Sequence, residues 1–261
     1  MAATLTDLQN SFRAPFKVRS FRFQWPADVA TSWAYEMETI VLGWYVLVET
    51  RSVLMLTVFA SLQYVGTLLS PMFGVMGDRI GHRIVLCAMR GLYATLASVL
   101  MVAAFMDAVT PTLVLMTTAV LGLVKPSDIG MRTALVGETV PPAHLMPAMS
   151  IQRTTQDSAR IAGALTGAGL VAMLGMSWAY VFVVIFYGIS LLLSTRVIES
   201  RSASHAAAVQ QATPWRDLKE GMSYVWRAPH LRATMFFAFL LNLTAFPLFT
   251  GLMPYVAKEV Y

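Results

Sequence analysis

The stretch that decides the reading is "GVMGDRIGHRI", Gly74 to Ile84. Two apolar runs flank it, "SVLMLTVFASLQYVGTLLSPMF" before and "VLCAMRGLYATLASVLMVAAFM" after. Each run has the roughly 20 residues that a helix needs to cross a bilayer. Between them, Asp78, Arg79, His82 and Arg83 sit among Gly74, Gly77 and Gly81. Charges gathered into a short connection between apolar runs are the pattern of an integral membrane protein. Composition agrees, because 57% of the 261 residues are hydrophobic and 13% are charged. A soluble domain carries about 25% charged residues to face water.

Outward from that connection the same pattern repeats. Seven spanning candidates fall at about 23–48, 53–76, 84–106, 112–135, 148–174, 177–197 and 233–257. The turns "ETRS", "MDAVTP" and "GMS" are short, which favours antiparallel neighbours in an all-α bundle. Residues 1–20 carry Asp7, Arg13, Lys17 and Arg19 with no apolar core, and read as a cytosolic tail. Residues 21–198 read as a six-helix transmembrane bundle. Residues 199–230 are expected to form a cytoplasmic linker, opening on the small polar run "ESRSASHAAAVQQATP". Trp215, Leu218, Met222 and Val225 then recur at helical spacing, as in an amphipathic helix on the membrane face. Residues 231–261 hold the seventh span. A single span after the linker suggests the front part of a longer protein, whose C-terminal bundle would partner that helix.

Lys and Arg set the orientation. With the N-terminus inside, Arg13, Lys17, Arg19, Arg22, Arg79, Arg83, Arg196 and Arg201 fall on one side, and Arg51 and Lys258 on the other. That asymmetry places the N-terminus in the cytoplasm. It also accounts for the net charge of +5 without nucleic acid as a partner.

Span one is the least apolar. On a helical wheel Asp28, Thr31, Ser32, Tyr35, Glu36, Glu38 and Thr39 share an arc about 160° wide, interrupted by Leu42. Such an arc looks at protein or water, since ionisable groups inside a span usually face a cavity or a partner helix. Glu36 lies roughly 21 Å along the helix from Arg22, near mid-membrane or somewhat beyond. Glu36 or Glu38 is therefore a candidate proton or substrate group, together with Asp28 and Tyr35. The two glutamates are about 200° apart on the wheel, so both cannot point to one cavity centre. In span five Arg153, Asp157 and Arg160 share a face at i, i+4 and i+3 spacing, which suits a gate or a structural cluster. Gly163 and Gly167 in "GALTG" are spaced for close helix packing. Lys125, Asp128 and Arg132, beside Pro126 and Gly130, read as a charged cytoplasmic helix end, and Pro71 as a kink in span two.

Enzymatic chemistry has no visible site. No Gly-rich loop ends in Gly-Lys-Ser or Gly-Lys-Thr, no serine sits in a Gly-x-Ser-x-Gly elbow, and the four histidines lack zinc spacing. Cys87, the one cysteine, lies in an apolar run and reads as a small buried residue. No cofactor or metal is expected. Energy for transport would come from an ion gradient.

The opening stretch resembles the loop signature of the major facilitator superfamily, Gly-x-x-x-Asp-Arg-x-Gly-Arg-Arg/Lys. Gly74, Asp78, Arg79, Gly81 and Arg83 match, and His82 replaces a basic residue. "SFRFQW", "GWYVLVETRS", "VKPSDIGMRTALVGETVPPAHLMPAMS" and "LKEGMSYVWRAPHLRA" look like the branch of the enterobactin exporter and related secretion effectors. "ARIAGALTGAG" is similar to that branch's fifth-helix pattern, with Ala164 where proline is usual. The resemblance covers the first half and seventh helix of a twelve-helix fold. It implies a rocker-switch transporter in a bacterial inner membrane, with a central site exposed alternately to each side. It also implies a cytoplasmic gate, in which Asp78 meets a helix of the second bundle and Arg79, Arg83 and Arg160 steady that carboxylate.

Three readings of function follow. The first is proton-coupled export of a small organic or amphipathic molecule. The second is proton-linked uptake by the same fold, which Ala164 leaves open. The third is a truncated, non-transporting membrane protein with a scaffold or sensory role.

Overall fold

The computed structural model describes residues 14–198 and scattered positions between 223 and 240. The chain divides into two compact units, Met1–Ala206 and Ala207–Tyr261. The first unit, over its described residues, is built from helices with no strand. Trp215, Leu218, Met222 and Val225 of the expected amphipathic helix lie outside the described residues. So does most of the seventh span, of which Ala233, Thr234, Phe236, Phe237 and Leu240 are described, all helical.

Helix α1 (Arg19–Thr50) is followed by α2 (Val53–Leu62), a 3-10 turn (Val65–Leu69) and α3 (Ser70–Ile80). Then come α4 (His82–Phe105), α5 (Pro111–Thr139) and α6 (Pro142–Ser194). Length and composition suit α4, α5 and α6 to crossing a membrane, and α2 and α3 together make a bent span of 49°. Pro71 stands in the first turn of α3, where its missing N–H breaks no helical bond. At 53 residues α6 is two arms, 142–174 and 176–194, divided at Gly175 by a φ of 81°. Helix α1 is long enough to span, about 48 Å, but its polar arc lowers its hydropathy.

The helices bury their apolar faces together. Met37, Val41 and Leu42 of α1 meet Val85, Leu86 and Tyr93 of α4, Leu121 and Leu135 of α5, and Tyr180 and Val183 of the second α6 arm. Trp44, Val99, Met116, Ile185 and Leu192 remain exposed, as lipid-facing side chains do.

The bundle begins earlier than residue 21. Residues Ala14–Lys17 form a 3-10 turn, and the Phe16 ring packs edge-on against Phe21 at 5.2 Å and Trp25 at 5.3 Å. Two arginines and a lysine near the start hid this small aromatic cluster.

The first arm of α6 comes very close to α1 at the Glu36 edge of the polar arc. A β-carbon at Gly163 would lie 2.8 Å from the Glu36 side chain, and one at Gly167 would lie 2.9 Å from Met37 Cα. Trp33 and Trp25 of α1 donate indole hydrogen bonds to Thr166 (2.8 Å) and Thr155 (2.9 Å) across the same seam.

Candidate substrate and ion site

Asp28 of α1 anchors the innermost layer of a buried polar column. It accepts a hydrogen bond from Arg90 of α4, and one from Gln152 of α6 at 2.9 Å. Arg132 of α5 lies 3.6 Å from the same carboxylate and pairs with Asp128 one turn before it. Arg132 also donates to Ser32 at 2.8 Å, and Arg90 to Ser194 at the end of α6. All four charged side chains are nearly out of contact with solvent. Two arginines offset two aspartates, so the layer is neutral. Burying such charges is costly unless each is paired, and here each is.

Ten residues along α1, about 15 Å, lies a second layer. Glu38 is 1% exposed, and its Oε2 accepts hydrogen bonds from Lys125 of α5 (3.3 Å) and Tyr187 of α6 (2.9 Å). Its Oε1 has no hydrogen-bond partner. The Lys125 ammonium also stands 3.6 Å over the Tyr35 ring, a cation–π contact. Tyr35 and Thr39 both donate to the Gln63 carbonyl of the α2–α3 bend.

These layers line a cavity of about 290 Å³ within the first unit. Tyr35, Glu36, Lys125, Arg132 and Arg160 are on its wall, with Tyr64, Tyr93 and Tyr187 as aromatic surface. A second hollow of about 250 Å³ shares Ser32, Ile129, Arg132 and Gln156 with it and reaches Asp28 and Arg153. Glu36 faces the cavity and pairs with Arg160 at 3.6 Å, while Glu38 lies behind Lys125. Two carboxylates, a lysine, two guanidinium groups and several phenols around one hollow can bind a small molecule that is partly charged and partly aromatic.

Residues 30–261 match the family model of the Major Facilitator Superfamily. The chain belongs to that superfamily. It is therefore a membrane-embedded secondary transporter, with a small molecule as substrate and lipid around it, and such proteins are generally carriers rather than enzymes. No curated protein and no solved structure matches it.

For a major facilitator, the opening stretch takes a particular local form. Gly81 separates α3 from α4 with a φ of 107°, a conformation that costs a residue with a β-carbon. That break turns His82 inward, to 5% exposure. Its Nδ1 lies 2.9 Å from Glu138 of α5 and its Nε2 3.6 Å from Asp78 of α3. The residue that departs from the family pattern thus clips three helices together. Gly74 has open space around it. Arg79 borders a groove along α3 with Met72 and Met76. Arg83 donates to the Thr195 carbonyl at 2.6 Å, tying α4 to the end of α6. Arg160, expected beside Asp78, instead sits with Glu36, and Asp157 lies between Arg153 (3.3 Å) and Arg160 (3.8 Å) on the exposed face of α6.

Two features escaped sequence reasoning. Arg90 is 1% exposed at the centre of the inner layer. The signal was an ionisable residue inside span three. Lys125, Asp128 and Arg132 form no cytoplasmic helix end, because α5 runs on to Thr139 and buries all three. Pro126 and Gly130 looked like breakers, yet proline is tolerated inside membrane helices whose neighbours satisfy the freed groups.

Proposed function

We propose that this major facilitator couples movement of a small organic or amphipathic molecule to protons. The observation that carries the reading is the cavity, where Glu36 and Lys125 face a hollow inside a membrane bundle and Glu38 stands behind. In this reading the chain works in a bacterial inner membrane with its N-terminus in the cytoplasm, in the branch of the enterobactin exporter. Asp78, Arg79, Gly81 and Arg83 form its cytoplasmic gate, with Arg153, Asp157 and Arg160 on the moving face. Gly163 and Gly167 let α1 and α6 shift as one packed pair.

Export by exchange, the first reading, needs proton and substrate to compete for one group. Glu36 can serve, because it faces the cavity with one loose partner at 3.6 Å. Uptake by co-transport needs proton and substrate to bind together, and the Glu38–Lys125 pair favours this second reading. The test is proton flux in liposomes under a substrate gradient. Under exchange, Glu36→Gln abolishes coupled flux and Glu38→Gln spares it; under co-transport the pattern reverses. Unchanged coupling in both variants would remove proton coupling from these residues.

A further inference from the structure

We infer that the bundle end where α1 and α4 begin and α6 finishes binds the phosphate headgroup of an anionic phospholipid, on Lys17, Arg19, Arg22 and Arg196. The inference goes beyond the substrate cavity and does not depend on how transport is coupled.

Positive charge with no internal answer leads there. The four side chains are exposed, and none pairs with a carboxylate among the described residues. Asp78 and Glu138, carboxylates of the same end, lie against His82 instead. The start of α1 sharpens the excess. Arg19 opens the helix and Arg22 follows one turn on, while the first turn holds no acidic residue and Val18 supplies no side-chain cap. A helix N-terminus favours negative charge and disfavours positive charge. The chain therefore gathers cations where the α1 dipole opposes them, and an anion from outside relieves both.

The fold holds these cations in place. Phe16 packs on Phe21 and Trp25, and the Val18 amide donates to the Pro15 carbonyl at 3.0 Å, so Lys17 is pinned at the helix start. Arg19 and Arg22, three residues apart, share one face of α1. The Ser20 hydroxyl donates to the Ile198 carbonyl at 2.7 Å, which ties the start of α1 to the turn that carries Arg196. Arg83 of α4 donates to the Thr195 carbonyl beside Arg196 and adds positive charge there.

A lipid fits this end better than a free ion, because apolar surface adjoins the charge. Leu192 and Ile198 are exposed on either side of Arg196, and Ile84 is exposed next to Arg83. Helix α1, about 48 Å long, exceeds the roughly 30 Å hydrocarbon core, so its ends reach the headgroup layer. Basic clusters between helices at that level hold phosphate headgroups. The phosphate meets the cations while an acyl chain lies on the leucine and isoleucines. So placed, one lipid joins α1, α4 and the end of α6 from outside.

The experiment follows the unfolding temperature of the full purified chain in detergent, since a ligand of the folded state raises it by mass action. Phosphatidylglycerol should raise it saturably. Phosphatidylcholine and inorganic phosphate at equal concentration should not. Arg19→Gln/Arg22→Gln/Arg196→Gln breaks no ion pair, so without lipid it should unfold at the native temperature. Its half-saturating phosphatidylglycerol concentration should rise about a hundredfold, roughly fivefold for each cation lost. The same three positions changed to lysine should restore most of the response. Arg51→Gln removes an exposed cation at the opposite end and should leave the response unchanged. An undiminished response in the triple glutamine variant would overturn the inference. So would an equal loss in Arg51→Gln and Arg19→Gln, which would reduce the effect to general charge attraction. A response to inorganic phosphate equal to that with phosphatidylglycerol would replace the lipid with a free anion and overturn it as well.

Discussion

Arg90 shows what one buried charge does in this bundle. Its guanidinium joins Asp28 of α1 to Ser194 at the end of α6, so a single side chain holds three helices. Removing it leaves Asp28 with Arg132 at 3.6 Å and Gln152. Breaking one partner of a buried pair costs about 3–5 kcal/mol, because the remaining charge stays desolvated. Arg90→Ala should therefore lower the unfolding temperature of the purified protein markedly, measured by intrinsic fluorescence in detergent. Arg90→Lys should recover part of the loss, since a lysine keeps the charge but not the fork. Arg153→Ala is the control. Its pair with Asp157 is 68% and 51% exposed, so solvent screening leaves it a change of about 0.5 kcal/mol or less. Equal destabilisation by both substitutions would contradict the assignment of Arg90 to the structural centre of the column.

At the scale of helices, the seam between α1 and the first arm of α6 organises the site. Gly163 and Gly167 bring the α6 backbone against Met37 and Glu36, and this close approach is what sets Glu36 beside Arg160. Gly167→Leu should push the two helices apart, because the neighbour at 2.9 Å is the Met37 backbone, which cannot rotate away. Overpacking of this kind costs about 1–3 kcal/mol, so the expected outcome is lower thermal stability together with lost transport. Gly169→Leu, on open space, should fold and transport normally. The small residues four apart on α6 were legible in the sequence as a face for close packing, because they depend on local period. The partners were not legible. Which lysine meets Glu38, and which arginines meet Asp28, depends on the azimuth at which α4 and α5 pack, and no local period records that. His82 illustrates the same limit. Its departure from the family pattern was visible, but its place between Asp78 and Glu138 required the turn at Gly81.

For the whole molecule, the placement of the charged layers relative to the two membrane faces gives a directional claim. Asp28 lies near the α1 end that follows Arg19 and Arg22, and Ser194 reaches the same layer from the end of α6. Arg79 and Arg83 flank the α3–α4 junction at this same end, since Arg83 bonds Thr195 just beyond α6. Asp107, in the α4–α5 turn, lies at the opposite end of α4. In the orientation proposed above, the excess of Lys and Arg puts the first side in the cytoplasm. Cys87 is the one native cysteine, so Cys87→Ser supplies a background free of thiols. In that background, Asp107→Cys should react with a membrane-impermeant maleimide added to intact cells. Arg79→Cys should react only after the membrane is opened. The reverse pattern would place Asp28 and its partners on the outer side of the bilayer, and the junction around Gly81 could then no longer serve as a cytoplasmic gate. Helix ends labelled equally from both sides would mean a mixed insertion, and would remove the single orientation that the proposed cytoplasmic gate requires.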